Sequence, residues 1–191
     1  MTRSLKALAL ALLLVVPVLS SCADVSGPPS AAPSIERQDG LIDDLLSGVL
    51  KLAFTILSGP DANGATVAAW IGAGGGTIST AAYTLTVPLG AVTENTRFEI
   101  EPTNDGTYSV QLHAYKQGLL GLIDIGEKGF KKPVTLKISY ANANGVTNEK
   151  KLIIVYLCDD GAEVQSTSID TKKETVSAQL NHFSKYAMAQ N

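Results

Sequence analysis

The sequence predicts an all-β fold, an antiparallel β-sandwich, preceded by one amphipathic α-helix. Three observations support this prediction. From Thr66 onward, short stretches alternate apolar and polar residues with the period of a half-buried strand. Glycine, asparagine and aspartate, which favour tight turns, separate these stretches. Before Thr66, over residues 41–57, apolar residues recur instead with helical spacing. Many short strands with regular turns are typical of a sandwich or a barrel.

Residues 1–21 have the order of parts of a secretory signal peptide. Arg3 and Lys6 form a basic head, an apolar run follows, and small residues precede Cys22. The ending Leu19-Ser20-Ser21-Cys22 resembles the lipobox of bacterial lipoproteins. This resemblance implies cleavage before Cys22 and acylation of its thiol, with palmitate as an expected acyl chain. An ordinary signal peptide and an unprocessed membrane helix are the alternatives.

Acylation would make lipid on Cys22 the contact with a membrane. Ala23 follows this cysteine, where an aspartate would suggest inner-membrane retention in relatives, so we expect the bacterial cell envelope and its outer membrane. The net charge of the chain is −3, and cleavage would also remove Arg3 and Lys6. A nucleic-acid partner is not expected, because such proteins neutralise phosphates with a basic face.

Two segments separate Cys22 from the strands. Residues 22–39 are rich in proline, serine and alanine and predict a flexible tether. Residues 40–58 predict the amphipathic helix, with Asp43 and Asp44 in its first turn and Gly59 after its end. The helix is too short and too charged to span a bilayer. It either packs on the domain or lies on a membrane or partner. Its apolar positions are Ile42, Leu45, Leu46, Val49, Leu50, Ala53, Phe54, Ile56 and Leu57.

Residues 64–191 predict the sandwich domain. The dipeptides Asn144-Gly145 and Asp160-Gly161 are hairpin turn signals, since these residues tolerate positive φ. The predicted strands are Tyr83 to Val87, Arg97 to Glu101, Tyr108 to Tyr115, Val134 to Tyr140, Lys151 to Leu157, Glu163 to Ile169, Glu174 to Leu180 and Ser184 to Ala189.

Several segments of this domain resemble motifs of the zonula-occludens/uncoordinated-five (ZU-five) domain, and they follow one another in the same order as in that family. Family members usually have a second proline where this chain has Leu89. The resemblance implies a β-sandwich, and together with the lipobox it implies an uncharacterised bacterial lipoprotein. The matching segments are Gly75-Gly76-Thr77, Tyr83 to Val92 with Val87-Pro88-Leu89-Gly90-Ala91-Val92, Phe130 to Leu136 and Leu180 to Ala187.

His182-Phe183-Ser184 is the candidate catalytic site, as a site of self-cleavage. The resemblance implies it, because some relatives cut themselves between Phe and Ser. Ser184 would be the nucleophile and His182 would assist it. Alternatively, these residues belong to a final strand on which Phe183 and Tyr186 pack on opposite faces. We expect the alternative, because only eight residues follow the cut.

The remaining chemistry-bearing residues predict no cofactor and no metal. Gly72 to Gly76 read as turn glycines, since no helix pattern follows them. Asp159, Asp160 and Glu163 fit a solvated hairpin tip better than a calcium loop. Cys158 ends an apolar run and is expected to be buried, with a reactive thiol as the alternative. The chain is therefore expected not to be an enzyme, but an interaction or structural module with an envelope protein or glycan as partner.

Overall fold

The structure, a computed structural model, describes residues 54–159 and 161–191. The predicted signal peptide, Cys22, the tether and the predicted helix up to residue 53 lie outside the described residues, as does Asp160.

The described chain forms two antiparallel sheets, which confirms the all-β prediction. Short 3-10 helices lie at Pro60–Ala62, Gly126–Lys128 and Glu149–Lys151. The strands are β1 Thr55–Ile56, β2 Val67–Ile71, β3 Gly76–Ser79, β4 Tyr83–Val87, β5 Thr96–Pro102, β6 Ser109–Gly118, β7 Gly121–Asp124, β8 Val134–Ser139, β9 Leu152–Cys158, β10 Gly161–Val164, β11 Thr167–Asp170, β12 Thr175–Leu180 and β13 Lys185–Gln190.

Within the described residues, the large sheet has eight strands and the small sheet five. The large sheet has the order β10-β9-β13-β6-β5-β2, with β1 beside β13 and β7 beside β6. The small sheet has the order β11-β12-β8-β4-β3. Every strand pair is antiparallel (β1–β13, β10–β9, β11–β12, β12–β8, β13–β6, β13–β9, β2–β5, β3–β4, β4–β8, β5–β6 and β6–β7).

Alternation along the strands builds the core between the sheets. On β8, Val134, Leu136 and Ile138 are fully buried, while the residues between them are half-exposed. On β5, Phe98 and Ile100 are buried in the same way. Because side chains of a strand point to opposite faces in turn, each sheet presents one apolar face to the other.

The predicted helix over residues 40–58 is wrong at its C-terminal end. Thr55 and Ile56 pair with Gln190 and Ala189 of β13, and Leu57 is buried in the core. The sandwich therefore begins before residue 64. A short apolar run satisfies both helical and strand patterns, so its periodicity alone could not distinguish the two.

Two further strand predictions are wrong in detail. Glu163 to Ile169 is not one strand, because β10 belongs to the large sheet and β11 to the small one. Asn144-Gly145 does not close a hairpin, because the chain crosses between sheets from β8 to β9 there. The strands on either side of Asp160 do pair as a hairpin.

Gly75 confirms the prediction of turn glycines between β2 and β3. Its φ is 75°, and an added Cβ would lie 2.6 Å from the carbonyl oxygen of Val87. A side chain is excluded both by the backbone angle and by this close approach.

Candidate interaction surface

The predicted self-cleavage segment lies at the edge of the core rather than on a strand. Residues 181–184 form a bend, and β13 begins at Lys185. Phe183 is buried, with its ring 4.6 Å from the ring of Phe130 and 5.7 Å from that of Phe98. Tyr186 belongs to the same core cluster, so the expected packing of Phe183 and Tyr186 on opposite faces is wrong.

The peptide groups around the Phe183–Ser184 bond are held by strand β6 and by the 3-10 helix Gly126–Lys128. The Phe183 amide donates to the carbonyl oxygen of Gly126 at 3.0 Å, and the Ser184 carbonyl accepts from the Leu112 amide at 3.0 Å. Ser184 is 3% exposed. The ring of His182 lies 5.1 Å from that of Tyr156, and its carbonyl oxygen accepts from the Tyr186 hydroxyl at 2.9 Å. These contacts give each of the three residues a packing role.

The other sequence candidates are spread along strand β9 and its hairpin with β10. Cys158 ends β9, as expected, but it is half-buried against the core rather than fully buried. Glu163 is exposed on β10. Within residues 54–159 and 161–191, no group of three or more histidine, cysteine or acidic side chains is placed to hold a metal ion.

The most exposed apolar feature of the described chain is the leucine hairpin, which we define as residues 118–123 of β6, β7 and their turn. Leu119 and Leu120 form its tip and are 104% and 103% exposed. Leu122 and Ile123 follow on β7, and each is 45% exposed. Gly121 has φ 142° and open space around it, so glycine makes this turn possible. The tip projects with no described neighbour covering it.

Two more exposed apolar residues lie in other elements at the same end of the sandwich. Trp70, on β2, is 47% exposed, and Leu89 lies in the turn after β4. Lys132 donates to the Leu89 carbonyl oxygen at 2.7 Å. The pairings Ile71 with Thr96 and Thr96 with Lys116 place β2, β5 and β6 at one level, with the leucine hairpin just beyond them.

A charged cluster lies on the outer face of the large sheet below this hairpin. Nδ1 of His113 is 3.4 Å from Asp124, and Nε2 is 3.5 Å from Glu101. Arg97 forms an ion pair with Glu99. These residues lie on β5, β6 and β7, and their alternation directs them away from the core.

Tyr115 occupies the centre of that cluster. Its ring stacks on His113 at 5.5 Å, and the Arg97 guanidinium lies 5.8 Å from its centroid. Partial burial, together with the charges of Asp124 and Glu99, raises the pKa of the Tyr115 hydroxyl, and Arg97 opposes this shift. The tyrosine is therefore neutral at physiological pH, and the cluster works by ion pairing and stacking.

Comparison of the chain with protein-family models and with curated proteins finds no match. Among the described residues, no helix has the length and apolar character needed to cross a bilayer.

Sequence reasoning missed the leucine hairpin, and one signal could have found it. Turns normally carry polar residues, yet Leu119 and Leu120 lie between Gly118 and Gly121. An apolar pair at a glycine-flanked turn indicates a side chain that is exposed for contact with something else.

Proposed function

We propose that this protein is a lipid-anchored lipoprotein of the bacterial envelope that carries a non-catalytic, ZU-five-like interaction module. The leucine hairpin is the observation behind the interaction role. Contiguous exposed apolar surface is unfavourable in water and marks contact sites. We propose that the hairpin touches the same bilayer that holds the lipid on Cys22.

The size of the hairpin favours a bilayer over a protein partner. A standard protein interface takes about 20–30 residues from each side. The leucine hairpin offers four apolar side chains on a projecting tip. A tip of this shape can enter the apolar boundary of a membrane without a complementary groove.

The free energy gained by burying the hairpin tip is enough for a secondary membrane contact, but not for an independent membrane anchor. Burying Leu119 and Leu120 would contribute about 1.5–3 kcal/mol each. That sum corresponds to millimolar-range binding for a free protein. Once lipid on Cys22 holds the chain at the membrane, the second contact becomes intramolecular and such weak binding suffices.

The positions of the family-like motifs support the ZU-five-like part of the proposal. Gly75-Gly76-Thr77 opens β3, and Val87-Pro88 ends β4. Phe130 to Pro133 lies directly before β8, and Leu180 to Ala187 leads from β12 into β13. Motifs that coincide with strand boundaries are compatible with the turns of such a sandwich.

The membrane contact is tested with the acylated full chain in lipid vesicles. The chain has one tryptophan, so Trp70→Phe with Leu120→Trp places a single indole at the tip. We expect blue-shifted emission and strong quenching by brominated acyl chains. The matched control, Trp70→Phe with Thr171→Trp, moves the indole to the exposed turn between β11 and β12 and should show neither effect. Equal quenching in both proteins, or in neither, would refute the hairpin contact.

The anchor is tested by intact mass of protein purified from membranes under denaturing conditions. A species that begins at acylated Cys22 and ends at Asn191 supports both the anchor and the non-catalytic role. A species lacking Ser184 to Asn191 would instead establish self-cleavage between Phe183 and Ser184, which stays the alternative prediction. Ser184→Ala should then abolish the cut.

A further inference from the structure

A second apolar surface lies on the outer face of the large sheet, away from the core. Val155 of β9 and Ala187 and Ala189 of β13 are fully buried there, although their side chains point away from the small sheet. Pairing of Ala187 with Val155 and of Ala189 with Ile153 places them on one face. We call this face the apolar half of the sheet. Its members are Phe54, Ile56, Ile153, Val155, Leu157, Ala162, Ala187 and Ala189.

This face has no second layer within residues 54–159 and 161–191. The residues packed against the trio of Val155, Ala187 and Ala189 all come from β9, β10, β1 and the residue before β1. All three strands belong to the large sheet itself. An apolar sheet face is stable only when another element covers it.

Residue 53, the last one before the described range, directly precedes Phe54, which lies on this uncovered apolar face. Phe54 and Ile56 already lie on the apolar half, and the chain immediately before Phe54 is the amphipathic stretch Leu41 to Ala53. A helix of this length is about 20 Å long. Strands β10, β9, β13 and β1 together span roughly 15–20 Å at a strand spacing of about 4.8 Å. Cover and face therefore match in size.

We infer that residues 41–53 fold as a helix that packs across the apolar half of the large sheet. The stripe formed by Ile42, Leu45, Leu46, Val49, Leu50 and Ala53 faces Val155, Ala187 and Ala189. The polar side, with Asp43, Ser47 and Lys51, faces solvent. The packing does not depend on acylation or on the leucine hairpin, so it is tested independently of the proposed function.

Methyl nuclear magnetic resonance of the acylated full chain in bilayer nanodiscs tests this directly. We expect nuclear Overhauser contacts from the methyl groups of Leu46 and Val49 to those of Val155, Ala187 and Ala189. Contacts from Leu46 and Val49 to lipid acyl chains alone would overturn the inference and place the helix on the membrane. Contacts that appear only between differently labelled molecules would overturn it in favour of a second copy.

A pair of substitutions adds a thermal measurement. Leu46→Asp places a carboxylate on the apolar stripe and should lower Tm by roughly 5–10 °C. Ser47→Asp adds the same group one residue further on, on the polar side, and should leave Tm within about 2 °C. Equal Tm values for the two variants would contradict packing of the helix on the sheet. The resonance contacts keep the inference testable if Leu46→Asp fails to fold.

Discussion

The outer face of the large sheet consists of two unlike halves. On β5 and β6, outward-pointing residues are charged or polar, as with Arg97, Glu99 and His113. On β9 and β13 they are apolar, as with Val155 and Ala187. The strands share one hydrogen-bonded sheet and one pleat. The difference therefore arises from side chains alone, and it indicates which half solvent can reach.

The charged half needs no cover, because its groups pair with one another. Arg97 pairs with Glu99, and His113 lies between Glu101 and Asp124. The apolar half is stable only when something excludes water from it. Two pairs of substitutions would break or sharpen this contrast, and a single substitution in a loop has the smallest expected effect.

Introduction of a lysine should distinguish the halves most strongly. Ala187→Lys buries an ammonium group in the apolar half, where Ala187 is fully buried, and should cost at least about 3 kcal/mol of unfolding free energy. Ala68→Lys makes the same change on β2, where Ala68 is exposed and pairs with Glu99. Its effect should stay within about 0.5 kcal/mol. Urea unfolding of both variants measures the difference. Similar losses of unfolding free energy would contradict the contrast between the two halves.

Loss of Arg97 tests the charged half and should have a smaller effect. Arg97→Gln removes the ion pair with Glu99 and the cation above Tyr115, and should cost about 1 kcal/mol. Lys116→Gln is the control, because Lys116 and Glu94 are 4.0 Å apart and solvent-exposed. We expect no measurable change in its unfolding free energy. The Arg97→Gln loss should shrink in 1 M salt, since the Debye length is then about 3 Å. A salt-independent loss would assign the effect to packing.

The smallest effect concerns Asp105 in the loop between β5 and β6. Its Oδ1 accepts from the Thr107 amide at 2.9 Å, the Thr107 hydroxyl at 2.6 Å and the Thr103 hydroxyl at 3.0 Å. Partial burial alone would raise the pKa of Asp105, but these hydrogen bonds outweigh it and the pKa lies below its ordinary value. The ionised carboxylate is therefore favoured more in the folded protein than in the unfolded chain.

This depressed pKa predicts a stabilisation that is present above the unfolded pKa of about 3.9. It is lost as the pH falls through the lower folded value. Asp105→Asn keeps an acceptor but does not titrate, so it should destabilise by less than about 1 kcal/mol at pH 7. The difference from the original protein should diminish as the pH approaches 3. A difference that grows on acidification would contradict the assignment.

The sequence predicts strands well where a single sheet face is buried. Val134 to Ser139 alternates in both sequence and burial, because only one of its two faces packs on the core. The sequence-based prediction fails at β1, where apolar Phe54, Ile56 and Leu57 surround the single polar residue Thr55. There, Leu57 contributes to the core while Ile56 packs on the outer face. Periodicity does not report a residue's burial when both faces of a strand are covered.

The candidate site was less predictable than the fold. The bend at residues 181–184 puts Phe183 and Tyr186 in one core, and strand alternation could not foresee it. The exposure of Leu119 and Leu120 depends on how far β6 extends beyond its neighbours, which is a tertiary property. The apolar half is visible only once β9 and β13 are known to be neighbours.

The direction of β1 sets how the molecule would stand at a membrane. β1 and β6 both run antiparallel to β13, so β1 heads toward the leucine hairpin and the chain arrives from the far end. The inferred helix ends at Ala53 and crosses the sheet, so it would begin beside β9 and β10 rather than at the hairpin. From there the residues back to Cys22 could span about 60 Å when extended, which would let Cys22 and the hairpin reach the same bilayer. The long axis of the domain would then be upright, presenting the loop 140–151 and the turn 171–174 to molecules approaching from solvent.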